Sequence, residues 1–206
     1  MRIGCLHTAA SNVAVLERTA ASYDGVSLRH AVRPDLLAAV GQAGLTPAIA
    51  AETRTVLDEL AADCDAVLLT CSSLGGVIDE LVAPPVPMLR VDRALAERAV
   101  VDGGRVIVLC AAPSSLEPTG TLFRQAAQAT GAQIALLLVP DAWPDFLAGN
   151  MSSYHARIAE AVASALSDAA IVVLAQVSMA DAVSPSSRVL TSPAIGLAAA
   201  AEAAPR

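Results

Sequence analysis

One cysteine stands where a strand of the predicted sheet ends. Residues 66–76 read AVLLTCSSLGG, an apolar run that stops at Thr70 and continues into Cys71 and its neighbouring serines. A short apolar run bounded by turn residues is typical of a fully buried parallel strand. Open α/β sheets bind their ligands at the carboxyl ends of such strands. The stretch therefore predicts part of an active site, with the Cys71 thiol as nucleophile or acid/base; the competing interpretation is a small core residue.

A histidine occupies a similar place after the first predicted strand. Residues 2–6 predict a short strand, and His7 begins the polar turn that follows it. Because the carboxyl ends of parallel strands meet at one edge of a sheet, we expect His7 to face the same site as Cys71. It would serve there as a second acid/base, unless it is a turn residue that bonds the backbone.

Small polar side chains gather at the ends of four predicted strands. Each of them could be a turn or helix-capping residue, but their clustering favours a site that binds an anion such as a carboxylate. A helix that starts just after Cys71 would also lower the pKa of its thiol. The predicted substrate-binding residues are Thr8, Asn12, Ser72, Ser73, Ser114, Ser115, Gln176 and Ser178.

Two of these side chains have more specific expected roles. Ser72 and Ser115 are the expected contacts to a carboxylate. Gln176 is either an amide donor to the substrate or a side chain that fills a cavity, and it cannot exchange a proton at neutral pH.

Composition excludes several cofactor-dependent classes. All 13 basic residues are Arg, so neither a pyridoxal-phosphate lysine nor a P-loop lysine is present. No G-x-G-x-x-G follows the first strand, which gives no indication of a dinucleotide site. The four cysteines form no C-x-x-C, and no Asp, Glu or His spacing indicates a metal site. The expectation is an enzyme without cofactor or metal.

Net charge and hydropathy limit the classes of partner that the protein is expected to have. The formal net charge of −7 argues against nucleic acid and anionic membrane surfaces, both of which attract basic proteins. The apolar stretch after Met1 is too short for a signal peptide, and no apolar run is long enough for a membrane span. We therefore expect a cytoplasmic protein with free thiols.

Strands alternate with helices along the chain, which predicts an α/β fold with largely parallel sheets. Thr46 and Pro47 are typical of a helix start, as N-cap and first helical residue. The segment before them, with Gly41 and Gly44, is expected to be a loop. Residues 142–153 are expected to be irregular.

The chain also shows weak internal similarity. At an offset of 104, residues 2–11 fall on 106–115, and at an offset of 105, residues 63–78 fall on 168–183, which pairs Cys71 with Gln176. We interpret this as duplication. It predicts two pseudo-symmetric lobes, each a largely parallel sheet flanked by helices, with the active site in the cleft between them. The predicted lobes are 1–92 with 188–206, and 93–187.

At four places the sequence resembles the aspartate/glutamate/hydantoin racemase superfamily. Residues 70–73 (TCSS) resemble its first catalytic-cysteine motif, and 174–179 (LAQVSM) resemble its second, which usually has Cys where this chain has Gln176. The turns at 7–8 and 114–115, and the helix start at 191–193, complete the resemblance, which covers nearly the whole chain.

The resemblance implies a cofactor-independent isomerase or racemase that acts at the carbon next to the carboxylate of a small amino acid, hydantoin or dicarboxylate. In that superfamily two thiols flank the carbon, one removing and one returning the proton. With Gln176 in the second position, Cys71 would work as a single thiol. The alternatives are a one-cysteine decarboxylase related to arylmalonate decarboxylases, or a non-catalytic protein that binds small carboxylates. A homodimer is the usual assembly of the families that the chain resembles.

Overall fold

Two four-stranded parallel sheets organise the chain, as predicted from the alternation of strands and helices. The computed structural model describes residues 1–205. In chain order, the strands of the first sheet are β1 (Arg2–His7), β2 (Ser27–Val32), β3 (Ala66–Leu69) and β4 (Met88–Arg90). They lie side by side in the order β2-β1-β3-β4, with every neighbouring pair parallel.

The second sheet repeats this order with the next four strands. These are β5 (Arg105–Cys110), β6 (Gln133–Leu138), β7 (Ile171–Leu174) and β8 (Val189–Thr191). They lie in the order β6-β5-β7-β8 and are also all parallel. Both sheets therefore place their second strand at an edge and their first strand inside, which is what a duplicated α/β unit requires.

Helices connect the strands, because parallel neighbours need a crossover. The helices are α1 (Ser11–Ala20), α2 (Pro34–Ala43), α3 (Pro47–Ala61), α4 (Gly76–Asp79), α5 (Val91–Val100), α6 (Leu116–Ala127), α7 (Ala142–Leu147), α8 (Met151–Ala165) and α9 (Ser192–Ala203). None of those within residues 1–205 combines the length and the apolar character that a membrane crossing requires.

The chain divides into two compact units, one of Met1–Ala94 with the segment from Pro193 onward, and one of Leu95–Ser192. The predicted boundary places residues 188–192 in the first lobe. They lie in the second unit, because β8 pairs with β7. Each unit has its own core, in which apolar residues of the sheet pack against helices, with α3 contributing to the first and α8 to the second.

Two segments expected to be irregular are helical. The loop expected before Thr46 contains α2, which starts at Pro34 and ends at Gly44, where φ is +70°. Gly41 lies inside this helix without strain. The segment expected to be irregular after residue 141 contains α7 and the start of α8, and there Trp143 stacks on Phe146 with ring centroids 5.1 Å apart. By contrast, the predicted start of α3 is confirmed, since the Thr46 hydroxyl accepts a hydrogen bond from the Ile49 N–H at 3.3 Å.

Candidate functional site

Cys71 lies two residues beyond the end of β3, at the carboxyl edge of the first sheet. A short 3-10 helix, Ser72–Leu74, begins directly after it. Both serines of this helix are buried, as is Thr70 on the other side of Cys71. The four residues that the sequence singled out after this strand therefore form one buried turn.

Three donors converge on the Cys71 sulfur. They are the Thr8 hydroxyl, from the end of β1, and the backbone N–H groups of Ser73 and Leu74. Hydrogen bonds of this kind stabilise a thiolate. Burial nevertheless dominates and raises the pKa of the Cys71 thiol above its ordinary value, and the Asp92 carboxylate adds to the increase. The N–H groups of the following helix do act to lower this pKa, as expected from the sequence, but burial outweighs them.

The raised pKa predicts how Cys71 reacts with iodoacetamide. Only the thiolate reacts, so the rate should climb about tenfold per pH unit from pH 7 to pH 9 and show no plateau there, because the ordinary thiol pKa is 9.0. Quantitative mass spectrometry of the Cys71 peptide would measure this rate. The same peptide in urea-unfolded protein provides the control and should level off near pH 9. A plateau below pH 8 in the folded protein would contradict a raised pKa.

A buried arginine packs against Gly75, just after the turn that contains Cys71. Arg90, at the end of β4, is 4% exposed and forms two hydrogen bonds to Asp92, of 2.9 and 3.0 Å, and one to Asp79, of 2.6 Å. Burial acts to lower the pKa of Arg90, but the two carboxylates outweigh it and hold that pKa above its usual range. The guanidinium lies against the backbone of Gly75, where a Cβ would come within 2.6 Å of Nη2.

This contact predicts unequal effects of alanine at two adjacent glycines. Gly75→Ala should lower the free energy of unfolding by about 1–3 kcal/mol, because the new methyl group collides with a guanidinium that Asp92 holds in place. Gly76→Ala meets only the flexible end of Leu45, at 3.2 Å, and is the matched control with little expected change. Thermal melting followed by circular dichroism measures both. Equal melting temperatures would contradict the proposed contact.

His7 is placed differently from the sequence expectation. Its side chain is fully buried, its Nδ1 lies 2.8 Å from Thr70 Oγ1, and its Nε2 lies 2.8 Å from His30 Nδ1. Burial, with a smaller contribution from neighbouring His30, lowers the pKa of His7 to about 3. Both ring nitrogens are thus engaged within the first unit, which leaves neither one free to contact a substrate.

Asn12 lies in the first turn of α1 and does not cap this helix, which begins at Ser11 without a side-chain cap. Its side chain is 5% exposed, and its Oδ1 atom has no hydrogen-bond partner among residues 1–205. An unpaired buried carbonyl oxygen costs free energy.

In the second unit, Gln176 occupies the place that Cys71 has in the first. Its Oε1 accepts the backbone N–H of Ala111 at 2.6 Å, and its Nε2 donates to Ser115 Oγ at 2.9 Å. Ser115 is 1% exposed and donates in turn to the Ala112 carbonyl at 2.7 Å. The predicted carboxylate contact Ser115 is thus bonded to Gln176, and the Gln176 amide fills the end of this sheet.

Of the other two predicted residues of the second unit, Ser178 bonds to side chains of α8. Ser178 lies in the 3-10 helix Val177–Ala182, where its Oγ is 2.8 Å from the Tyr154 hydroxyl and its carbonyl accepts from His155 Nε2 at 3.0 Å. Ser114 is partly exposed in the turn before α6.

The strand registers correct the internal repeat. Ile3 pairs with Ala66 in the first sheet as Val106 pairs with Ile171 in the second. The offset is therefore 103 for the first strands (Ile3 to Val106), not 104, and 105 for the third. A shift by one residue exchanges the two faces of a strand. His7 thus corresponds to Cys110, and the residue that follows it, Thr8, corresponds to Ala111.

After this correction, corresponding positions are in contact in both units. The Thr8 hydroxyl bonds Cys71 in the first unit, and the Ala111 backbone N–H bonds the Gln176 side chain in the second. Sequence reasoning missed Thr70, Arg90 and Asp92 as parts of the site. The spacing of Arg90 and Asp92 across a strand end is the signal that could have indicated them.

No protein-family model matches the sequence, and a comparison with curated proteins finds no match. Solved structures do match. Picrophilus torridus aspartate racemase has a TM-score of 0.73 at 13% identity, covering 98% of this chain and 94% of that one. Bacillus anthracis glutamate racemase has a TM-score of 0.65 at 10% identity, covering 97% and 80%. Pseudomonas fluorescens allantoin racemase has a TM-score of 0.58 at 14% identity, covering 98% and 90%. The chain has the fold of these aspartate, glutamate and allantoin racemases.

Proposed function

We propose that the protein is a cofactor-independent isomerase that moves a proton at the carbon next to a carboxylate, with Cys71 as its single catalytic thiol. The observation that carries this proposal is the set of donors around the Cys71 sulfur: the Thr8 hydroxyl and the N–H groups of Ser73 and Leu74. Such donors stabilise the thiolate that must form before a thiol can remove a proton.

The Cys71 thiolate would remove the α-proton of the substrate and become a thiol, leaving the negative charge spread over the α-carbon and the carboxylate. Hydroxyl and N–H donors at the strand ends, from Thr8, Ser72 and Ser73, would stabilise this enolate-like charge. The thiol would then return a proton to the same face of that carbon, which gives exchange with retention. Net isomerisation requires that solvent protonate the opposite face or that the proton reach another carbon of the substrate. A thiolate with a raised pKa is present in small amount but is a strong base, which suits a weakly acidic carbon.

The contacts of the Gln176 side chain show how a planar amide or carboxylate can be held at this position of the fold. Its carboxamide accepts from an N–H at the strand end and donates to a hydroxyl at the start of the next helix. The first unit has the shorter Cys71 at the equivalent position and an unpaired Asn12 Oδ1 near the start of its helix. In the first unit, a planar group of the substrate would lie where Gln176 has its carboxamide in the second unit. A neighbouring N–H group of the same substrate would donate to Asn12 Oδ1. This favours amino acids and hydantoins over simple dicarboxylates.

Hydrogen exchange in heavy water tests the proposal. Aspartate, glutamate, hydantoins including allantoin, arylmalonates and maleate are incubated with the enzyme and followed by proton NMR and chiral chromatography. With Cys71 as the single acid/base, at least one substrate should exchange its α-proton with retention much faster than it racemises. Racemisation as fast as exchange would reveal a second acid/base.

A binding protein is the second candidate, and the presence of Gln176 at the position of a second thiol favours it. In that case one carboxylate of the same panel would raise the melting temperature, while no compound would exchange or be converted.

A further inference from the structure

Three potential metal ligands lie on one face of the first sheet. Cys5 and His7 are two residues apart on β1, so their side chains point to the same side. His30 on β2 is the register partner of Cys5. The parallel pairing therefore brings together residues that are 23 or more positions apart in the sequence.

The donor atoms of the three side chains are close enough to share one ion. The Cys5 sulfur and one ring nitrogen from each histidine all lie within 4.8 Å of one another. The facing nitrogens are His7 Nε2 and His30 Nδ1, at 2.8 Å. Around a tetrahedral zinc ion, with bonds of about 2.0–2.3 Å, such atoms are about 3.3–3.6 Å apart, so small side-chain movements are sufficient.

The outer nitrogens of both histidines are already fixed. His30 Nε2 lies 2.8 Å from the Glu17 carboxylate on α1, which can only accept a proton when ionised. His7 Nδ1 lies 2.8 Å from Thr70 Oγ1, whose own hydrogen is directed to the Leu6 carbonyl at 3.1 Å. Each neutral ring therefore carries its hydrogen on the outer nitrogen.

This arrangement leaves two lone pairs facing each other. With their hydrogens directed to Glu17 and Thr70, both inner nitrogens are acceptors, only 2.8 Å apart. A positive charge between them removes the repulsion. Histidines that bind metals are oriented in this way, with the second nitrogen donating to a carboxylate or other oxygen.

We propose that Cys5, His7 and His30 bind a divalent transition-metal ion of the zinc class. Imidazole nitrogen and thiolate sulfur suit Zn²⁺ and Co²⁺ and not Mg²⁺ or Ca²⁺. The charges balance, since Cys5 binds as thiolate after releasing its proton to solvent and Glu17 is a second negative charge beside His30. Three protein ligands leave the fourth position of the tetrahedron for water.

Cobalt titration of the full-length, chelator-treated protein tests the site. One equivalent of Co²⁺ should give the visible bands of a tetrahedral ion and a near-ultraviolet thiolate-to-metal band. Zn²⁺ should displace it and raise the melting temperature, because binding to the folded state alone stabilises that state.

Substitutions identify the ligands. His30→Gln should weaken Co²⁺ binding at least about 100-fold, and Glu17→Gln about 10- to 100-fold, because Glu17 only orients His30. Both side chains reach solvent, at 15% and 54% exposure, so these variants should fold. Cys5→Ser should lose the thiolate band. The controls, His155→Gln in the second unit and Cys64→Ser, should bind as the unmodified protein does.

Two results would overturn the site. One is the absence of saturable one-to-one binding. The other is unchanged binding and spectra in both His30→Gln and Cys5→Ser. In either case a proton would lie between the two rings, with the Thr70 hydroxyl donating to His7.

Discussion

Cys71→Ala is expected to lower turnover of the substrate found by hydrogen exchange at least about 1,000-fold, because it removes the only ionisable group at the end of β3. Cys71→Ser should be nearly as inactive, since a hydroxyl in the same donor set is a much weaker acid than a thiol. The initial rate of α-proton exchange in heavy water measures both losses. In the unmodified protein, this rate should rise with pH beyond pH 8, following the raised pKa of the thiol.

Cys64→Ala is the matched control for this loss. Cys64 is buried to a similar degree, at 6% against 8% exposure for Cys71, and lies in the same unit just before β3. It should retain the full exchange rate. Circular dichroism should show that both alanine variants fold, with a loss of stability of about 1 kcal/mol for the missing sulfur. Full exchange activity in folded Cys71→Ala would refute the assignment of the thiol.

The sequence was sufficient to predict the turn that contains Cys71, because that prediction depends on local signals. A continuous apolar run followed by small polar residues defines both the strand and its end, whatever lies around it. The helices at Pro34 and Ala142 were missed for the opposite reason. Gly41 weakens helix propensity within α2, and the burial of Leu36 and Val40 in the first core outweighs this preference. Pro144 lies in the first turn of α7, where it breaks no hydrogen bond of the helix.

The environments of His7 and Arg90 could not be predicted, because they depend on pairing between distant segments. The sequence places His7 in the turn after the first strand, whereas it is the last residue of β1. Its partner His30 comes from β2 through a register that the sequence does not specify. Likewise, Arg90 and Asp92 are only a basic and an acidic residue two positions apart. Their burial against Gly75 is a property of the folded unit.

Arg90→Met is expected to lower the free energy of unfolding by about 3–5 kcal/mol, because it leaves Asp92 as an unpaired charge that is only 1% exposed. Asp79, the other partner of Arg90, is 35% exposed and can be hydrated. Urea unfolding followed by far-ultraviolet circular dichroism measures the change. Trp143 fluorescence is unsuitable, because the only tryptophan lies in the second unit.

Two further variants distinguish loss of the ion pair from loss of any arginine. Arg98→Met removes a guanidinium that is 57% exposed and lies 4.0 Å from Asp102, and it should change stability by no more than about 0.5 kcal/mol. The double variant Arg90→Met with Asp92→Leu removes both buried charges and should recover most of the loss, since apolar side chains of similar size can replace a buried pair. If Arg90→Met alone costs less than about 1 kcal/mol, Asp92 is not held in a buried ion pair, and the support of the Cys71 turn must come from elsewhere.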